Sequence, residues 1–304
     1  MTARKIQPPF LKPGDEVAIV SPSFCIEGNI LSEAVEFLGK WGLKVRIGKH
    51  AASKSSPFAG TDEERLSDLQ EMTDNPDIKA VFCSRGGYGL SRIIDRIDFS
   101  ELKKTPKWYI GFSDITVLHM WLNEVCGVIS IHGEMPLNFN NPKKTRDTFS
   151  SLRNALFGDL TYLEWRGKIS KPANVSGEMT GGNLSLLNSL SGTSAEISTN
   201  GKILFIEDVG EYYYHIDRML TTLRLGGKFE HLSAMIVGGM NKIEEGKVPW
   251  GKNIEETILG ITEVYDFPVI FNFPAGHIAD NRAFYIGKHA KIEVIGDKAT
   301  LLYN

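Results

Sequence analysis

The sequence predicts an α/β fold built as two domains: an N-terminal parallel-sheet domain and a smaller, β-rich C-terminal α/β domain. Three observations predict it. In the first half, short apolar runs alternate with stretches whose apolar residues recur at helical spacing. Several of those runs end in turns rich in Gly and Ser, and in the second half strand-like runs outnumber helical ones.

Taken in order, Glu16–Val20 (EVAIV) is an apolar strand ending at Ser21-Pro22-Ser23. Asn29 is placed to cap a helix whose apolar positions Leu31, Ala34, Val35, Leu38 and Trp41 share one face, with Gly42 closing it. Lys44–Ile47 is the next strand. Thr61 and Glu64 form a capping box, opening a helix with Leu66, Leu69 and Met72 inward. A strand over 79–83, a glycine-rich turn and a helix over 91–96 follow. Then come a strand over 108–112, a helix over 114–125, a strand over 128–131 and a helix over 148–157. Strands separated by helices of this length imply right-handed crossovers and a parallel sheet, with ligands at the carboxyl ends of its strands. The domains are expected at 1–145 and 175–304, with a linker over 146–174. The second holds strands over 202–206, 234–237 and 269–272 and a closing hairpin, 291–295 with 299–303. One of its helices carries Ile216, Met219, Leu220 and Leu223 on a single face.

At 304 residues with 42% hydrophobic and 23% charged residues, the chain has the balance of a soluble globular protein. Its net charge of −3, without a long run of one sign, argues against a nucleic-acid surface or an electrostatic membrane anchor. Prolines interrupt the N-terminal segment, so no signal peptide is expected, and no apolar run is long enough to span a membrane. Cys25, Cys83 and Cys126 are widely spaced, as reduced cytosolic thiols are. No histidine has metal-ligand spacing, so no metal is expected.

Four segments can carry chemistry. In KWYIGFSDITVLHMW a strand runs into Gly111-Phe112-Ser113 and a helix starts at once. That would present the Ser113 hydroxyl at the sheet edge, with N–H groups behind it for an oxyanion. Ile115 replaces the second glycine of G-x-S-x-G, and a merely helix-capping Ser113 is the open alternative. In CSRGGYG, from Cys83 to Gly89, Gly86 and Gly87 let backbone approach a ligand, and Arg85 can grip a carboxylate. A tight βα turn explains the same glycines, and Cys83 is a rival nucleophile. In ILFIEDVGE, Glu207, Asp208 and Glu211 follow a buried strand, as histidine-orienting acids or as ordinary surface residues. In FPAGHIADN, His277 is a loop histidine suited to a general base. The order Ser, Glu, His at strand ends is that of a triad.

The motifs AGTDEER (59–65), SRGGYG (84–89), GFSDIT (111–116), HGEM (132–135), GGNLSLL (181–187), EDVGE (207–211), IDRML (216–220) and AGHIADN (275–281) together resemble the LD-carboxypeptidase family over nearly the whole chain. The resemblance implies a cytoplasmic, homodimeric serine peptidase without metal or organic cofactor. It would release the terminal D-alanine of a murein tetrapeptide or muropeptide during peptidoglycan recycling. Its N-terminal domain would be similar to class I glutamine amidotransferases. The family motifs fall on Ser113, Glu207 and His277 as the catalytic triad, in a site between the domains. The N–H groups of Asp114 and of Gly86 or Gly87 are then expected as the oxyanion hole, and Arg85, Tyr88 and Glu211 as substrate-binding residues. Related microcin-immunity peptidases, which cleave an aminoacyl- or peptidyl-nucleotide, supply an alternative. A non-catalytic muropeptide-binding protein supplies another.

Overall fold

The computed structural model describes residues 5–303; the first four residues of the segment read for a leader, and the last residue, lie outside it. The chain divides into two compact units, Met1–Leu160 with Ala279–Gly287, and Thr161–Ile278 with Lys288–Asn304. The stretch expected as a linker over 146–174 is instead built into both. Helix Arg146–Phe157, capped by Thr145 and ended by left-handed Gly158, belongs to the first unit, and strand Tyr162–Arg166 to the second.

The elements, numbered along the chain, are β1 Glu16–Val20, α1 Gly28–Gly39, β2 Lys44–Ile47, α2 Asp62–Asp74, β3 Ile78–Cys83, β4 Trp108–Gly111, α3 Thr116–Met120, β5 Ser130–His132 and α4 Arg146–Phe157. The chain continues with β6 Tyr162–Arg166, β7 Asn174–Asn183, α5 Leu184–Ser189, β8 Lys202–Val209, α6 Tyr213–Leu225, β9 Ala234–Asn241, α7 Ile254–Thr262 and β10 Val269–Ile270. It ends with β11 Phe284–Ile286, β12 His289–Ile295 and β13 Lys298–Tyr303.

The first unit holds a six-stranded sheet in the order β11-β5-β4-β3-β1-β2. Its neighbours pair parallel except for β11, which returns late in the chain to run antiparallel along β5. The order reverses around β1 and β3, the kind of switch point beside which such sheets bind ligands. The second unit has seven strands, β10-β9-β8-β7-β12-β13-β6. Its first four strands are parallel and its last three antiparallel, the closing hairpin among them. The mixed α/β class and the parallel N-terminal sheet are as the sequence predicts.

Local departures have local causes. The helix expected from Asn29 begins at Gly28 with Glu27 in the capping position, and Asn29 lies inside its first turn rather than capping it. The short apolar run at 91–96 forms two single 3-10 turns, being too short to repay α-helix nucleation. The helix after Ser113 winds at three pitches: a 3-10 turn at Ser113–Ile115, α3, and π turns at Trp121–Cys126, stopped by left-handed Gly127. The Thr61–Glu64 capping box forms as expected; Leu69 and Met72 face the core, while Leu66 is only half-buried.

Candidate active site

In the first unit, Ser113 directly follows β4 and Phe112 with a backbone φ of +65°, one of few non-glycine residues in that region. An L-residue in this conformation is strained, and strain of this kind collects at functional turns. Phe112 occupies the cap of the turn that follows, and no side chain caps it, so the helix-capping reading of Ser113 finds no support. The departure from G-x-S-x-G also has a reason. A Cβ on Gly111 would come within 2.8 Å of the Ile115 side chain, so the bulky residue packs over the one glycine that remains.

The glycine-rich turn after β3 closes on this elbow. A Cβ on Gly86 would lie 2.9 Å from the Ser113 Cβ and 3.0 Å from its Oγ, so backbone and hydroxyl meet only because residue 86 has no side chain. Gly87, at φ +119°, presses its Cα against the Phe24 ring in the same way. Arg85 donates from Nη1 to the Cys25 carbonyl at 3.0 Å, and its guanidinium lies 5.8 Å from the Phe24 ring centroid. The Arg85 Nε is buried without a hydrogen-bond partner among the described residues. Tyr88 is 46% exposed, with its ring 6.1 Å from that of Phe58. Cys83 is fully buried in β3, and burial pushes its thiol far above the ordinary range, which removes it as a nucleophile.

Behind the elbow, the buried ring of His119 bonds the Gly111 carbonyl at 2.9 Å and the Ser130 hydroxyl at 2.8 Å. Burial lowers its pKa from 6.5 to about 4. The folded state therefore holds a neutral imidazole, while the unfolded chain takes up a proton below pH 6.5. This contribution to stability is complete above pH 6.5 and is lost as the pH falls toward about 4, by roughly 3 kcal/mol over that window. Thermal melts between pH 7.5 and 4 should show the decline. A His119→Gln variant, which keeps both bonding functions without titrating, should flatten it.

In the second unit, Glu207 is fully buried in β8. Its Oε2 meets His277 Nδ1 at 2.7 Å and accepts the His277 backbone N–H at 3.2 Å, while Oε1 accepts from Asn183 Nδ2 at 3.3 Å. The pairing of β8 with β9 slips at this point, where Gly238 and Gly239 on β9 face Glu207 alone, and such bulges re-aim side chains. The histidine loop needs those glycines. A Cβ on Gly238 would meet the Ala275 carbonyl at 2.5 Å, and one on Gly239 would meet Ile278 at 2.6 Å. Gly276, at φ +107°, is needed for its backbone as well as for space, since a Cβ there would lie 2.7 Å from Glu207 Oε2. Asn241 completes the hold by donating to the His277 carbonyl at 2.6 Å.

Glu211 has a different partner. Its Oε2 meets His215 Nδ1 at 2.5 Å, and its Oε1 accepts from the Ser185 hydroxyl at 3.2 Å. Asp208 is buried and accepts from Asn183, from Val209 N–H, and from both the backbone and the hydroxyl of Ser185. Burial raises the Asp208 pKa. Ser113, Asp114, Arg85, Gly86, Gly87 and Tyr88 thus all lie in the first unit; Glu207, Glu211 and His277 lie in the second. Asn183 was not singled out from the sequence, although it stands in GGNLSLL where an Asn before an apolar helical run marks a cap, and it caps α5. Among the described residues no group of three or more His, Cys, Asp or Glu is arranged to hold a metal ion. No helix among them is long and apolar enough to cross a membrane.

The chain matches both domain models of a known class of peptidase. The LD-carboxypeptidase N-terminal domain matches residues 17–133 and the LD-carboxypeptidase C-terminal domain matches 176–292. The chain belongs to the LD-carboxypeptidase family. It is 34% identical, over 97% of its length and 94% of the relative's, to a probable murein peptide carboxypeptidase of Bacillus subtilis. The crystal structure of muramoyltetrapeptide carboxypeptidase from Oxalobacter formigenes superposes with a TM-score of 0.85 at 28% identity, covering 95% of this chain and 99% of that one. The microcin C7 self immunity protein MccF, at 22% identity and a TM-score of 0.88 over 98% of this chain and 99% of its own, shares the fold.

Proposed function

We propose that the chain is a serine LD-carboxypeptidase that releases the terminal D-alanine from murein tetrapeptide, with Ser113 as nucleophile, His277 as base and Glu207 as its orienting acid. The observation that carries the reading is the Glu207–His277 pair. A fully buried carboxylate holds both the ring Nδ1 and the backbone N–H of one histidine, fixing its position and its tautomer. With the proton on Nδ1, the basic lone pair resides on Nε2. The strained elbow at Ser113 supports the same reading, as do the similarities to a murein peptide carboxypeptidase and a muramoyltetrapeptide carboxypeptidase. The immunity-type alternative rests on likeness of fold to a more distant protein.

The chemistry then runs in two halves. Ser113 Oγ attacks the carbonyl carbon of the bond to D-alanine and passes its proton to His277 Nε2. The N–H of Asp114 and one from Gly86 or Gly87 receive the oxyanion. Collapse breaks the C–N bond, and the leaving amine takes the proton from His277. Water, deprotonated by the same imidazole, hydrolyses the acyl-enzyme and restores the serine. No step calls on a metal or an organic cofactor. A cytoplasmic location, a role in peptidoglycan recycling and a homodimeric state belong to the same reading. Mass spectrometry of a muropeptide digest tests it. Tetrapeptides should lose one alanine while penta- and tripeptides stay intact; unchanged tetrapeptides would overturn it.

Arg85 is the proposed clamp for the D-alanine carboxylate, with Tyr88 beside it and Glu211 as a further substrate-binding residue. Arg85 has one nitrogen anchored on Cys25 and a buried Nε without a partner among the described residues, so it offers a donor already stripped of water. Lysine has no planar fork. Arg85→Lys should raise the KM for the free acid about tenfold to a hundredfold, on the worth of one charge-assisted hydrogen bond. A C-terminal amide analogue should be affected far less. Equal effects on acid and amide would show a structural arginine.

A further inference from the structure

Among the buried charged side chains of the first unit, two hold the loops around the elbow and have no part in the steps above. Asp114 is fully buried, and its Oδ2 accepts from the Ser23 hydroxyl at 2.6 Å and from the Leu90 N–H at 3.0 Å. Arg65, on α2, has a side chain that is also wholly buried. Its Nη1 donates to the Pro22 carbonyl at 2.6 Å and to the Gly89 carbonyl at 2.9 Å, and its Nη2 pairs with Asp62. The partners coincide in a telling way. Each side chain holds the loop after β1, through Ser23 or Pro22, and the end of the glycine-rich turn after β3, through Leu90 or Gly89. Asp114 is itself the residue after Ser113, on the turn that follows β4. Three loops at the switch point of the sheet are therefore joined by one carboxyl and one guanidinium. The guanidinium packs closely on the turn, since a Cβ on Gly89 would come within 2.7 Å of Arg65 Nη1.

A buried carboxyl and a buried guanidinium are costly to keep, and apolar residues of like size would give as much stability or more. What they give that apolar packing lacks is direction. Hydrogen bonds at Gly89 and Leu90 anchor the end of the turn whose Gly86 lies against the Ser113 hydroxyl, where an error of about 1 Å costs on the order of a hundredfold in rate. We infer that the side chains of Asp114 and Arg65 are positioning residues that set the distance between the glycine-rich turn and the Ser113 elbow, and so the shape of the oxyanion hole. This rests on the peptidase reading above and adds to it a function for side chains that do not themselves react. Burial, the largest influence on Asp114, raises its pKa, while the Ser23 and Leu90 bonds and the charge of Arg65 oppose the rise. Both Oδ2 bonds need only an acceptor.

The test uses Asp114→Ala, Asp114→Asn, Arg65→Lys and the milder Ser23→Ala in the full chain. Turnover is normalised to the folded fraction, and amide hydrogen exchange is followed over residues 84–90. Asp114→Ala should lower kcat about a hundredfold to a thousandfold, the worth of one oxyanion donor, with KM within a few-fold. Exchange over 84–90 should accelerate. Asp114→Asn keeps an acceptor for both bonds and should recover at least tenfold of the lost kcat. Arg65→Lys should lose kcat and protection together, and Ser23→Ala should do so by less than tenfold, which keeps the test open if a stronger variant fails to fold. Normal kcat in the folded Asp114→Ala or Ser23→Ala enzyme, with or without faster exchange, would overturn the inference. So would a loss expressed in KM alone. Inactivity of the wild-type enzyme on tetrapeptide would instead sink the peptidase reading, while the exchange data would still report on the strut.

Discussion

Replacing Ser113 by alanine should abolish D-alanine release while leaving the fold intact. Alanine has the same Cβ, so the strained φ of +65° and the contact with Gly86 are unchanged, and only the hydroxyl is lost. The loss of a triad nucleophile can reach about a million-fold in rate. Circular dichroism and melting temperature should match the wild type, and the purified variant should still bind tetrapeptide. A variant that keeps more than a few per cent of activity would mean that the elbow serves another purpose. Cys83 could not take over, because its thiol is sealed in β3.

Glu207→Gln should cripple turnover with little change in KM. Oε2 accepts both the His277 backbone N–H and Nδ1–H, while Oε1 accepts from Asn183, so an amide must turn its NH₂ toward one of these donors; Asn241 still holds the loop through the His277 carbonyl. The amide NH₂ can satisfy Nδ1 only if that nitrogen carries no proton, which moves the proton to Nε2 and removes the base. The comparable aspartate-to-asparagine change in a serine protease costs about ten-thousand-fold. Glu211→Gln is the control. Glu211 bonds His215 and Ser185 rather than His277, so its loss should act on binding or stability. Kinetics of the two variants on one tetrapeptide separate the roles; a collapse at Glu211 beside a healthy Glu207→Gln enzyme would reverse them.

Much of this was legible because it is local. Strand Lys44–Ile47, the Thr61–Glu64 box and the face of Ile216, Met219, Leu220 and Leu223 follow from side-chain period and capping chemistry within a few residues. The same holds for the strand-to-helix turn at Ser113 and for the loop position of His277. Other elements were missed for the same reason. Strand β7 carries Gly177, Gly181 and Gly182, which weaken its strand pattern, and β11 is three residues long. The linker expected over 146–174 fails because irregular composition there reflects a helix and a strand assigned to different units.

By itself, then, the sequence determined the α/β class and the order of most elements, since periodicity and turn residues act over one or two turns of chain. Tertiary structure decided which of three neighbouring acids faces which histidine. Glu207 and His277 stand 70 positions apart, and their pairing depends on a slipped register between β8 and β9 and on glycines at 238, 239 and 276 that let the loop approach. It also decided that β11 returns to the first sheet, and that Asp114 and Arg65 hold the same two loops. Contacts of this kind are set by strand order and register, which no window of sequence contains.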